Sequence, residues 1–145
     1  MVERVIAILT LLAIASAFAV WWQRREGRVT RVSDPPGAVS SAYLGSPRGF
    51  RATFVQFSTS TCAKCPPTAA LLARVAAGEK GVAHVEIDAE ARLDLVREFE
   101  ILRTPTTLIL NHEGVVVARI SGAPSEAHAR EALEAAPPPS TDYSI

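Results

Sequence analysis

Eighteen consecutive residues without a charge, Val5 to Trp22, constrain this chain more than any other feature. As a helix rising about 1.5 Å per residue they extend close to the roughly 30 Å of a hydrocarbon core. A chain of 145 residues builds one modest core, so an apolar rod of this length has no room inside it. Trp21 and Trp22 close the run, where indole rings favour the headgroup boundary. A cleaved signal peptide is the competing reading, because Ala15-Ser16-Ala17 resembles a small-residue cleavage site. The apolar "FAVWW" continues past that site, and Arg4 is the only basic side chain before the run. The expectation is a retained anchor over residues 1–23, in contact with lipid through residues 5–22.

Flanking charge suggests an orientation. Arg4 stands beside Glu3 ahead of the run, whereas Arg24, Arg25, Arg28 and Arg31 follow it. Basic residues resist translocation, so the expected place of the C-terminal domain is the cytoplasmic face of the cell membrane. The alternatives are the extracytoplasmic face, or secretion after signal cleavage. The 15 basic and 15 acidic residues balance. With no net field, no glycine-rich phosphate loop and no basic stripe, nucleic acid is not an expected partner.

Residues 24–48 read as a juxtamembrane linker, since "SDPPGAVSSAYLGSPRG" is rich in Pro, Gly and Ser and lacks a sustained period. Within it only "RVTRV" (28–32) alternates enough for a short edge strand. The remainder, 49–136, alternates between periods. "ATFVQF" (52–57) reads as a strand, and residues 65–77 as a helix carrying Leu71, Leu72 and Val75, with Gly78 as its C-cap. "VAHVEI" (82–87) is the next strand. Asp88 then caps a helix to Glu100, with Leu93, Val96 and Phe99 facing inward. "TTLIL" and "VVVARI" flank an "NHEG" hairpin turn with Gly114 suited to positive φ. An alanine-rich helix follows Ser125, and with Leu133 as its one large apolar residue it is expected to pack weakly. Residues 137–145 read as a disordered tail. The whole is an α/β fold, a mixed sheet with helices on both faces.

Both cysteines of the chain, Cys62 and Cys65, lie in "CAKC" between the first of these strands and its helix. A redox pair, half of a metal site and a static structural pair are all open at this point. Zinc needs four N or S ligands, and His84, His112 and His128 lack the paired spacing that would complete a set. A static disulfide does not persist in a reducing compartment. Redox chemistry is favoured, with no metal and no organic cofactor beyond the Cys62–Cys65 dithiol itself.

A strand delivering CxxC to a helix, followed by "TPTTLIL" opening another strand and by the "VEID", "NHEG" and Gly122 features, resembles the thioredoxin family over roughly residues 50–136. Within it the chain looks most like membrane-anchored thioredoxin-like proteins of actinobacterial type. The resemblance implies the thioredoxin fold and a thiol–disulfide oxidoreductase. In that reading Cys62, at the start of the helix, is the exposed nucleophile and Cys65 the buried resolving thiol. Pro105 is then a cis-proline facing the dithiol and, with Thr104 and Thr61, shapes the substrate groove. Helix-terminal N–H groups and Lys64 both favour the thiolate at Cys62. The implied partners are protein or small-molecule disulfides and a thiol reductant or reductase.

Several positions depart from the family pattern. Thr61 and Ser58 stand where aromatic residues are usual, and Ala63-Lys64 replaces Gly-Pro. Gln56 occupies the place of a buried acid, and His84 that of its basic partner. One expectation is that His84 takes over proton handling for Cys65; a purely structural histidine is the other. Lys64, by favouring the reduced form, is expected to lift the potential above the ~−270 mV typical of thioredoxin. Thr61, Ser58 and Gln56 also keep a second function in view, a non-catalytic binding or redox-sensing module at the membrane.

Overall fold

The computed structural model describes residues 1–33 and 37–139. Its elements run α1 (Val2–Arg25), β1 (Arg28–Arg31), α2 (Ser41–Leu44), β2 (Ala52–Ser58), α3 (Cys65–Gly78), β3 (Val82–Asp88), α4 (Leu93–Glu98), β4 (Thr106–Asn111), β5 (Val116–Ser121) and α5 (Glu126–Glu134). The five strands form one sheet in the order β1-β5-β4-β2-β3. Only β2 and β3 are parallel, joined through α3; the other pairings are antiparallel. Two sets of buried side chains cover its two faces.

Every residue of β2 is buried. Helices cover both faces of a central strand, so its sequence carries apolar residues in both parities instead of alternating. Val55 and Phe57 point to the face shared with Ile87, Leu95, Phe99 and Leu108. Ala52 and Phe54 point to the opposite face, toward Leu72 and Val75 of α3 and Ala129 and Leu133 of α5. Gln56 has the parity of Phe54. The strand therefore carries an amide under the first turn of α3, where an apolar residue would otherwise fill the core.

The apolar helix α1 buries none of its span from Val2 to Trp22, so it takes no part in either core. Residues 24–48 are more than a linker. β1 pairs with β5, Arg28 opposite Ser121, and forms one edge of the sheet. Val39 and Leu44 are buried in the core, and α2 is capped by Ser40, whose hydroxyl accepts from the Tyr43 N–H. Isolated apolar residues among turn formers have no period to betray them. Of this segment, residues 34–36 lie outside the described residues, as do 140–145 of the expected tail.

The helix expected from Asp88 to Glu100 is shorter. Asp88 ends β3, and its carboxylate accepts from the Glu90 N–H in a turn, so α4 begins only at Leu93. Leu93 is exposed rather than inward, while Leu95 and Phe99 are buried. Helix α3 continues through Gly78, which is not its cap. The hairpin turn behaves as read: Gly114 has φ +88°, and the Asn111 side chain accepts from the N–H groups of Glu113 and Val115. Helix α5 packs closely and not weakly. Ala129, Ala132 and Ala136 are fully buried beside Leu133, because small side chains let a helix approach its neighbours at full packing density.

Candidate functional site

The dithiol sits where β2 runs out into α3. After Ser58 the chain turns, with the Cys62 N–H bonded to Thr59 O (3.2 Å) and the Cys65 N–H to Cys62 O (3.1 Å). Helix α3 starts at Cys65 itself, with Pro66 and Pro67 in its first turn, where a missing N–H costs nothing. Cys62 thus lies one turn ahead of the first helical residue rather than within the helix. The two sulfurs are bonded, with Cα atoms 5.4 Å apart. Their exposure differs: Cys62 is half-buried and Cys65 is 3% exposed.

Across from the dithiol lies the loop entering β4. The Thr104–Pro105 peptide bond is cis. The two loops touch, the Thr59 and Thr104 hydroxyls being 3.1 Å apart. Pro105 O accepts from the Gly122 N–H (2.8 Å), which ties this loop to the end of β5. A shallow cleft of about 330 Å³ runs from Thr59 and Thr104 to Leu93 and Leu102. Both leucines are exposed, Leu102 to 93%. Thr61 is exposed and is not among the residues lining this cleft.

Beneath Cys65 the polar residues singled out in the sequence form one network. Gln56, fully buried, donates through Nε2 to Cys65 O and to Ser58 Oγ, both at 3.0 Å. Ser58 in turn donates to Glu86 Oε1 at 2.6 Å. A backbone carbonyl only accepts, so the NH₂ side of the Gln56 amide faces it, and Oε1 faces His84 Nε2 at 3.1 Å. His84 is therefore the donor there. Burial lowers its pKa below the ordinary 6.5, with Glu86 acting in the opposite sense. His84 reaches Cys65 only through an amide that carries no exchangeable proton step. The geometry gives it a positioning role, and the proton-handling expectation finds no direct contact.

Lys64, expected to act as a free cation beside Cys62, instead meets the carboxylate of Glu26, just beyond α1. Sequence reasoning missed Glu26 entirely, and no local signal marks it. It also passed over Glu86, although Glu86 shares the parity of His84 within the strand and Cα register with Gln56. Among the described residues no group of three His, Cys, Asp or Glu side chains is disposed to hold a metal ion.

Neither a family model nor a curated protein sequence matches the chain. Solved structures do. Mitochondrial thioredoxin 3 of Saccharomyces cerevisiae, in its oxidised form, superposes with a TM-score of 0.52 at 19% identity, over 58% of this chain and 77% of its own. Spinach chloroplast thioredoxin f gives 0.53 at 26% identity, over 61% and 72%. A thioredoxin-like protein of Clostridium perfringens gives 0.56 at 20%, over 70% and 83%. With its sheet order, the disulfide between β2 and α3 and the cis bond before β4, the chain has the thioredoxin fold.

Proposed function

We propose that this chain is a membrane-tethered thiol–disulfide oxidoreductase acting on protein disulfides. The observation that carries the reading is the asymmetry of the bonded Cys62–Cys65 pair: Cys62 is only half-buried, whereas Cys65 is 3% exposed. A reactive dithiol needs one accessible attacking thiolate and one protected resolving thiol. In the reducing direction, the Cys62 thiolate attacks a substrate disulfide, forming a mixed disulfide and expelling one substrate thiolate. Cys65 then attacks Cys62, and the second substrate sulfur leaves as a thiolate. The substrate gains two electrons, the chain ends as the Cys62–Cys65 disulfide, and a thiol reductant or a reductase restores the dithiol.

Thr104 and Pro105 border the peptide groove in this reading, with the exposed Thr61 beside Cys62. The tether is α1, long and apolar enough to cross a membrane. We place the domain on the cytoplasmic face, from the arginines that follow the helix. Reduction of insulin disulfides by the full chain in detergent, with a thiol reductant, tests the chemistry. Turnover that is lost in Cys62→Ser supports it. No turnover in the wild type favours a binding or sensing module, a reading for which the polar, exposed Thr61 speaks.

A further inference from the structure

The foot of the membrane helix is built into the active site. Glu26, the first residue past α1, contacts Lys64 between the two cysteines. Gly27 is fully docked: its N–H donates to Ser121 O at 3.0 Å. Its φ is +74°, and a Cβ there would lie 2.7 Å from Ala123 O. β1 then pairs with β5 at once, Arg28 opposite Ser121. Gly122, next along, holds Pro105. No slack separates helix from domain. The backbone at Lys64 lies no further from the end of α1 than the combined length of one Lys and one Glu side chain.

Between α1 and the domain is a cleft of about 400 Å³, lined by Trp22, Arg25, Arg28 and Arg103 among others. Arg103 directly precedes Thr104, and its Nη2 donates to Ser121 O. Trp22 and Arg25 belong to the helix end that meets the headgroup layer when α1 spans a bilayer. The same layer therefore borders the cis-proline loop.

We infer that Cys62 is held at the bilayer surface and serves a protein disulfide lying at the lipid–water boundary, in a juxtamembrane segment of a membrane-embedded partner. The inference rests on the reading of α1 as a membrane anchor and of the dithiol as catalytic. A flexible tether of 25 residues would let the domain sweep a deep layer of solvent, whereas docking at Gly27 fixes its height.

The test uses the full chain with Cys65→Ser, reduced, in nanodiscs. Its substrates are mixed disulfides of a short peptide with 5-thio-2-nitrobenzoate, joined to lipid headgroups through a short or a long polar spacer at equal surface density. Attack by Cys62 joins its sulfur to the peptide sulfur and releases the coloured thiolate with the electron pair. Release is expected to be roughly tenfold faster with the short spacer, since effective concentration falls once a linker overshoots its target. A flexible Gly/Ser insert of roughly a dozen residues between Arg25 and Glu26, about 20 Å in root-mean-square length, should abolish the preference while leaving Glu26 and Gly27 docked. Equal release from both spacers, or a preference that survives the insert, overturns the inference alone. Release from neither substrate overturns the catalytic reading and this one with it; a chain that washes off nanodiscs overturns the anchor.

Discussion

Substituting Gln56→Leu keeps the side-chain volume and shape nearly constant while deleting every polar contact the amide makes. Gln56 is fully buried, so no water takes the place of its bond to Cys65 O. Cys65 O loses a donor at 3.0 Å and His84 Nε2 an acceptor at 3.1 Å, while Ser58 keeps its bond to Glu86. A buried polar group stripped of its partner costs about 1–3 kcal/mol. Half-buried His84 can rehydrate, and the leucine gains apolar burial, so the net loss is set at about 1–2 kcal/mol. Denaturant unfolding of the oxidised full chain in detergent reads this as a lower midpoint at unchanged slope. Adding His84→Phe makes a double-mutant cycle. Because the two residues share one network, the second substitution is expected to cost much less in the Gln56→Leu background, with a coupling above about 0.5 kcal/mol. Additive losses, or a Gln56→Leu midpoint equal to the wild type, would refute the view that these residues hold the first turn of α3 as a unit.

Three further outcomes follow from the site. His84 titrates below its ordinary value through burial, so on acidification the unfolded chain takes up a proton before the folded one does. Stability should therefore fall as pH drops below about 6.5, and His84→Asn should flatten that slope in denaturant titrations; a slope left unchanged contradicts the assignment. Glu26→Gln should free Lys64 to favour the Cys62 thiolate, moving the pH midpoint of Cys62 alkylation downward in a Cys65→Ser background; no movement, or an upward one, refutes the pairing. Gly27→Ala forces a side chain into a positive φ and against Ala123 O, and should destabilise the chain by more than the ~1 kcal/mol that glycine's freedom alone is worth, as measured by thermal unfolding.

The sequence shows the architecture wherever burial leaves a period. β2 reads as a strand because seven consecutive residues face covered surfaces. α3 reads as a helix from its apolar spacing, with prolines only where no N–H is needed. Legibility ends where single residues act without neighbours of their own kind. Val39 and Leu44 reach the core from a segment whose composition belongs to turns. Asp88 has the look of a helix cap, yet its carboxylate closes a turn to Glu90 first, and two long-range facts, the end of β3 and the burial of Leu95, decide where α4 begins. The alanines of α5 carry little hydrophobic signal of their own, since their contribution is the close approach they permit.

At the site the same limit takes another form. Cys62, Cys65 and Pro105 are legible because the pattern the sequence resembles, a CxxC after a strand and an X-Pro opening a later one, carries them. Gln56, Ser58 and His84 read in the sequence as three separate departures, the first two weakening the case for catalysis and the third a candidate proton handler or a structural histidine. In the fold they are one substitution made in three places. An amide in β2 cannot sit beneath Cys65 O unless something satisfies its oxygen, and His84 on the neighbouring strand does so. The second amide proton needs an acceptor, and an aromatic residue at position 58 would offer none, whereas Ser58 accepts it and passes the demand on to Glu86. Strand parity places all of them on the face that α3 covers. With both amide protons and the oxygen of Gln56 paired, the first turn of α3 is held without a buried charge, while the buried hydroxyls of Thr68 and Thr107 beside it stay unpartnered.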